Sequence, residues 1–206
     1  MWFIKTRWAV MGFTAMGIGL SGYLSSEDAQ PKQFETVHFI ISASKKTTTG
    51  QLETHVIEHW VKGENYRTEI PEIGGKQVTI GLGKIRYEFK QSERNGTVEV
   101  LSPELERFLN PLGRIAIWKQ SGVNVGVQMA NGVLADKVEL NEGGWRLTVW
   151  FSQDNGLPVM FVYEPRTKPH PRGIESVTSL CNVKTNVPIA ASMFELPEEV
   201  TFMSPP

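Results

Sequence analysis

The chain has 206 residues, 40% of them hydrophobic and 21% charged, a composition that fits a folded globular protein and excludes both a disordered chain and one wholly embedded in a membrane. Its 21 Lys and Arg are scattered among 22 Asp and Glu for a net charge of −1, so no basic face for a phosphate backbone is evident and nucleic acid is not an expected partner. The single cysteine, Cys181, excludes an intramolecular disulfide and a paired-cysteine zinc site.

At the amino terminus, Lys5 and Arg7 precede an uncharged stretch from Trp8 to Leu24, after which Ser25, Ser26, Glu27 and Asp28 return the chain to water. This is the order of a secretory signal. The stretch also reaches the lower length limit of a membrane-spanning helix, so two outcomes are open, a cleaved leader or a retained anchor through residues 8–24. A cut after Ser26 would leave Leu24 and Ser26 at the −3 and −1 positions. Leu20-Ser21-Gly22-Tyr23 is similar to a bacterial lipobox, but Tyr23 stands in place of the cysteine that lipid attachment needs. Positive charge before the apolar run places the rest of the chain outside the cytoplasm, periplasmic or otherwise extracytoplasmic. The expected organisation is residues 1–30 as leader or anchor with linker, then one domain over residues 31–206.

From Phe34 to Val183, short apolar, β-branched and aromatic runs alternate with Gly, Asn and Asp turns every 8 to 12 residues or so, which predicts an antiparallel meander. Eleven strands are expected: 34–43, 52–61, 65–70, 77–82, 85–90, 97–101, 123–129, 134–140, 145–151, 157–163 and 174–183. Lys62-Gly63-Glu64-Asn65, Gly74-Gly75, Asn95-Gly96, Asn131-Gly132, Asn141 to Gly144 and Asp154-Asn155-Gly156 supply the turns. Ile85, Tyr87 and Phe89 alternate with Lys84, Arg86, Glu88 and Lys90, and Trp145, Leu147, Val149 and Phe151 with Arg146 and Thr148, so one face of the sheet is apolar and requires a cover.

Ser102 is a good N-cap before Pro103, and Leu105, Phe108, Leu109, Leu112, Ile115 and Trp118 follow at helical spacing. Asn110-Pro111 divides this segment into two short helices, the second opened by Pro111. The pair can lie across the apolar face. Pro197 to Pro206 reads as an extended end.

Three stretches and the chain's close together carry a family resemblance. His59 to Ile70 looks like an early hairpin with a basic-Gly-acidic turn, Gly83 to Phe89 like the strand after it, Asn155-Gly156-Leu157-Pro158 like a late turn, and Ala191 to Pro197 like a closing Phe-x-Leu-Pro segment. With the meander and the mid-chain helices, residues 34–200 resemble the LolA/LolB-like periplasmic lipoprotein carrier superfamily, whose half-barrel is shared by RseB-type sensor domains. The resemblance implies a mainly β fold, a large curved antiparallel sheet of about eleven strands covered by a short helical segment. It implies an apolar cavity for acyl chains of a lipid or lipoprotein, with Trp60, Tyr87, Phe89, Leu147, Val149, Phe151 and Phe161 from the sheet and Phe108, Leu112, Ile115 and Trp118 from the cover. The plain alternative is that these side chains fill an ordinary core. A non-enzymatic lipid- or lipoprotein-binding role follows, without cofactor. The other reading is a membrane-tethered sensor domain that engages a protein partner.

His55-Val56-Ile57-Glu58-His59 matches the H-x-x-E-H pattern of inverted zinc peptidases, which makes a zinc hydrolase a third possibility. That chemistry needs both histidines on one turn of a helix. Thr54, Val56, Ile57, Trp60 and Val61 favour a strand, in which residues four apart lie about 13 Å from each other. Cys181 reads as a buried structural thiol, and no nucleophile elbow or phosphate-binding glycine loop occurs. Lys168 to Arg172 is a short basic, proline-stiffened loop, either solvated or in contact with an anionic surface.

Overall fold

The computed structural model describes residues 34–167 and 173–204. The proposed leader and the loop from Lys168 to Arg172 lie outside them. Twelve strands follow in chain order: β1 (Thr36–Thr47), β2 (Leu52–Lys62), β3 (Asn65–Glu72), β4 (Gly75–Leu82), β5 (Ile85–Lys90), β6 (Asn95–Val100), then β7 (Val123–Ala130), β8 (Val133–Glu142), β9 (Trp145–Ser152), β10 (Pro158–Pro165), β11 (Ile174–Thr185) and β12 (Thr201–Met203). Between β6 and β7 stand two helices, α1 (Pro103–Leu109) and α2 (Pro111–Ser121). The strands form one sheet in the order β12-β6-β5-β4-β3-β2-β1-β11-β10-β9-β8-β7.

Eleven of these strands answer to the expected runs, with ends that move by a few residues. All neighbours pair antiparallel except β12, which runs parallel to β6. Hairpin chemistry explains the meander. At Asn131-Gly132 both residues take positive φ, 49° and 76°, the backbone of a tight turn whose twist suits antiparallel strands. The chain closes the long loop of the topology by laying β1 beside β11, with Val37 opposite Thr185 and Ile41 opposite Cys181.

The helical segment breaks where proline and asparagine require it. Asn110 ends α1 by donating its N–H to the Glu106 carbonyl, and its Oδ1 accepts from the N–H groups of Leu112 and Gly113 at 2.9 and 3.3 Å, opening α2. Ser102 Oγ caps α1 by accepting from Leu105 N–H. Gly113 is required by close approach, because a Cβ there would overlap the Arg107 carbonyl oxygen.

The main core lies between the sheet and these helices. Val37, Phe39, Ile41, Ile57, Val61, Leu147, Val149, Phe151, Phe161 and Cys181 from the sheet pack with Leu109, Ile115 and Trp118. The opposite face carries two smaller apolar clusters. Ala130, Ala135, Trp150 and Val159 form one. Val78, Ile80 and Phe89, covered by Leu196, Val200 and Phe202 of the C-terminal segment, form the other. The expectation of one apolar face with one cover is therefore corrected: the sheet is apolar on different faces along its width. The extended tail supplies β12 and the second cover.

Candidate functional site

Strand parity decides which residues meet beneath the helices, because residues directly opposite in an antiparallel pair share a face. Following the pairs Val149–Phe161, Phe161–Ser179, Ser179–Ala43 and Ile41–Ile57 across the sheet keeps one face, the one α1 and α2 cover. Eight of the eleven residues named for the cavity stand there: Leu147, Val149, Phe151 and Phe161 on the sheet, Phe108, Leu112, Ile115 and Trp118 on the helices.

The other three stand on the opposite face. Trp60 pairs with His38, on whose ring it stacks at 5.0 Å with planes 9° apart. Tyr87 and Phe89 meet Phe202 of β12 edge to face, at 5.1 and 5.8 Å. The alternation in β5 is legible, but the face it turns to the helices is the charged one, because Tyr87 pairs with Ile80 and Ile80 with Arg67, the partner of Trp60.

Under α2 lies a cavity of about 20 Å³ lined by Phe39, Ile41, His59, Arg114, Ile115, Trp118 and Phe161, with Pro111 and Pro158 also in its wall. Its wall is apolar apart from His59 and Arg114, two residues that the sequence alone did not mark for this place. Arg114 is detectable: Pro111, Arg114, Ile115 and Trp118 share one helical face, and a basic residue in an apolar stripe is an anomaly.

Arg114 is 4% exposed. Its Nη2 donates to Glu142 Oε1 at 2.6 Å and to the Tyr163 hydroxyl at 3.4 Å, and that hydroxyl donates to Glu142 Oε2 at 3.0 Å. The guanidinium also lies over the rings of Phe108 and Trp118, at 4.4 and 5.4 Å. Burial pushes the Tyr163 phenol well above its ordinary range. The result is a polar tie between α2 and β8 inside an apolar layer.

His59 is buried to 1% exposure, with Nδ1 sharing a hydrogen bond with Thr68 Oγ1 at 2.7 Å. Burial, reinforced by the charge of Arg114, lowers its pKa to about 3, so the ring is neutral at physiological pH. In β2 the side chain of Glu58 points to the other face, where Oε2 meets His38 Nε2 at 3.2 Å. His55, Glu58 and His59 therefore do not converge, and among the described residues no group of three His, Cys, Asp or Glu side chains is placed to hold a metal. Burial also raises the Cys181 thiol to about 12, far from the range of a nucleophile.

No family model matches the sequence, and no curated protein matches it. Solved structures do. An uncharacterized conserved protein from Thermus thermophilus superposes with a TM-score of 0.56 at 10% identity, over 82% of this chain and 90% of that one. The likeness is one of fold. The MucA/MucB complex of Pseudomonas aeruginosa matches at 0.43 with 16% identity, over 80% of this chain and 57% of that one. A LolA superfamily protein from Nitrosomonas europaea matches at 0.41 with 12% identity, over 79% and 90%. The families that the sequence resembles are thus among the matches. The architecture itself, a large unclosed sheet under two short helices, is the one that resemblance implies.

Proposed function

We propose that the protein is a non-enzymatic module of the cell envelope that binds acyl chains of a lipid or lipoprotein between the sheet and the α1–α2 pair. The observation that carries this reading is the contrast beneath the helices: a broad apolar surface on β1, β2, β9, β10 and β11, covered by only two short helices and tied to them by Arg114 and Glu142. A cavity of about 20 Å³ holds no acyl chain, so loading requires α1 and α2 to lift. The segment is joined at Leu101-Ser102 and at Gly122, and its apolar residues leave the sheet when a chain of similar character takes their place. Burial of each ligand methylene contributes about 0.8 kcal/mol toward that exchange.

Native mass spectrometry of protein purified from membranes tests the proposal. A bound lipid, displaced when Ile41→Trp fills the space beneath α2, is the expected result. Protein that carries no lipid, and takes up none from mixed micelles, overturns it.

The small size of the cavity favours a second reading, a membrane-tethered sensor or interaction domain that regulates envelope signalling through a protein partner. Purification of the full chain with a membrane-spanning regulator and without lipid would select it. The leader bears on both readings, since a retained anchor suits a tethered module and a cleaved one suits a shuttle. Amino-terminal sequencing of the mature protein separates them.

A further inference from the structure

β7 is the terminal strand of the sheet, and seven of its eight residues are exposed. Its sequence, Val123-Asn124-Val125-Gly126-Val127-Gln128-Met129-Ala130, contains no charged residue and no proline. Exposed strand edges are ordinarily guarded by lysines, prolines, very short strands or a covering segment. The opposite edge has two of these guards, because β12 is three residues long and follows Pro197, Glu198 and Glu199. Among the described residues β7 has only a bulge between Asn124 and Gly126, closed by the Gly126 N–H donating to Asn124 Oδ1 at 2.9 Å. Beyond it the ladder is regular from Gly126 to Ala130.

We propose that β7 is the docking edge for a second copy of this chain, the two β7 strands pairing antiparallel about a twofold axis. Charge supports a like partner: two uncharged strands meet without repulsion, whereas pairing of β7 with the guarded edge of another copy sets it against the Glu198-Glu199 segment. A self-paired edge also closes on itself, while β7 on β12 would extend without limit.

The faces agree. Val127 pairs with Asp136, and Asp136 with Phe151, so Val127 and Met129 lie on the helix-covered face, as does Leu134 opposite Met129. All three are exposed, Met129 to 63%. A twofold axis perpendicular to the sheet keeps both covered faces on one side. Val127 and Met129 of one copy then pack beside those of the other, and the two covered faces become one continuous surface.

Light scattering coupled to size exclusion, on the full chain in detergent, reads the result. Wild-type protein is expected to form a dimer that dissociates on dilution. Val127→Lys and Val127→Glu, each of which sets like charges across the axis, are expected to be monomeric, and an equimolar mixture of the two to regain the dimer. Met129→Lys is expected to behave as Val127→Lys. A wild-type chain that is monomeric at every concentration overturns the proposal, as does a Val127→Lys protein that remains dimeric, because the contact then lies elsewhere, the amino-terminal segment included. An edge occupied instead by an extended segment of another protein, with the wild type alone monomeric, overturns it equally.

Discussion

Arg114 of α2 and Glu142 of β8 form a partly buried ion pair that ties the helical cover to the sheet, with Nη2 and Oε1 2.6 Å apart. Removing one partner leaves the other charged group in a mostly apolar layer without its counter-charge. Arg114→Met is expected to lower stability by about 3 kcal/mol. Arg114→Met combined with Glu142→Gln is expected to cost clearly less than the two single changes added together. Urea denaturation of the four proteins measures the coupling.

His59 makes stability depend on pH. Its pKa is about 3 in the folded protein and 6.5 when unfolded, so between these values the unfolded chain takes up a proton that the native state refuses. Stability is therefore unaffected by this residue above pH 6.5 and falls as the pH drops below it, by about 1.4 kcal/mol per pH unit. His59→Gln keeps a partner for Thr68 and does not titrate. The stability of wild type relative to this variant should decline by about 2 kcal/mol between pH 6.5 and 5, and equal pH profiles for the two would contradict the assignment.

Gly81 lies directly opposite Tyr66, and a Cβ at that position would overlap the tyrosine ring. Tyr66 is 2% exposed, so the ring has little room to retreat. Gly81→Ala is expected to destabilise by about 1–3 kcal/mol. Adding Tyr66→Leu should restore part of that loss, a result visible in the thermal midpoint of the double variant.

Cys181 is buried opposite Ile41, with its thiol raised to about 12. In the native protein at mildly alkaline pH it should not react with an aromatic disulfide reagent, and labelling should appear with the urea unfolding transition. Fast labelling without denaturant would show that the sheet opens locally between β1 and β11.

Much of the architecture could be read along the chain because it depends on short-range causes. Ser102-Pro103 and Asn110-Pro111 punctuate the helices through capping and a missing N–H, and Asn131-Gly132 turns a hairpin through positive φ. None of these needs a distant residue. The β1–β11 pairing and the C-terminal strand β12 differ in kind. β12 is three residues long, too short for periodicity to mark, and it exists because Phe202 finds Tyr87 and Phe89 across the sheet.

The candidate site divides along the same line. Alternation with a period of two shows that Tyr87 and Phe89 share one face and that Leu147, Val149 and Phe151 share one, but it does not say whether these are the same face. That parity is transmitted through seven successive strand pairings from β5 to β9 in the order of the sheet, each set by a hairpin or by the β1–β11 closure. Sequence by itself determined eleven of the strands, the two capped helices and the stock of apolar side chains, since turn chemistry, capping and side-chain period are local. Tertiary structure decided that Trp60, Tyr87 and Phe89 leave the helix-covered face, that Arg114 is buried against Glu142 and that the space beneath α2 is nearly filled. Register and packing depend on residues brought together from opposite ends of the chain.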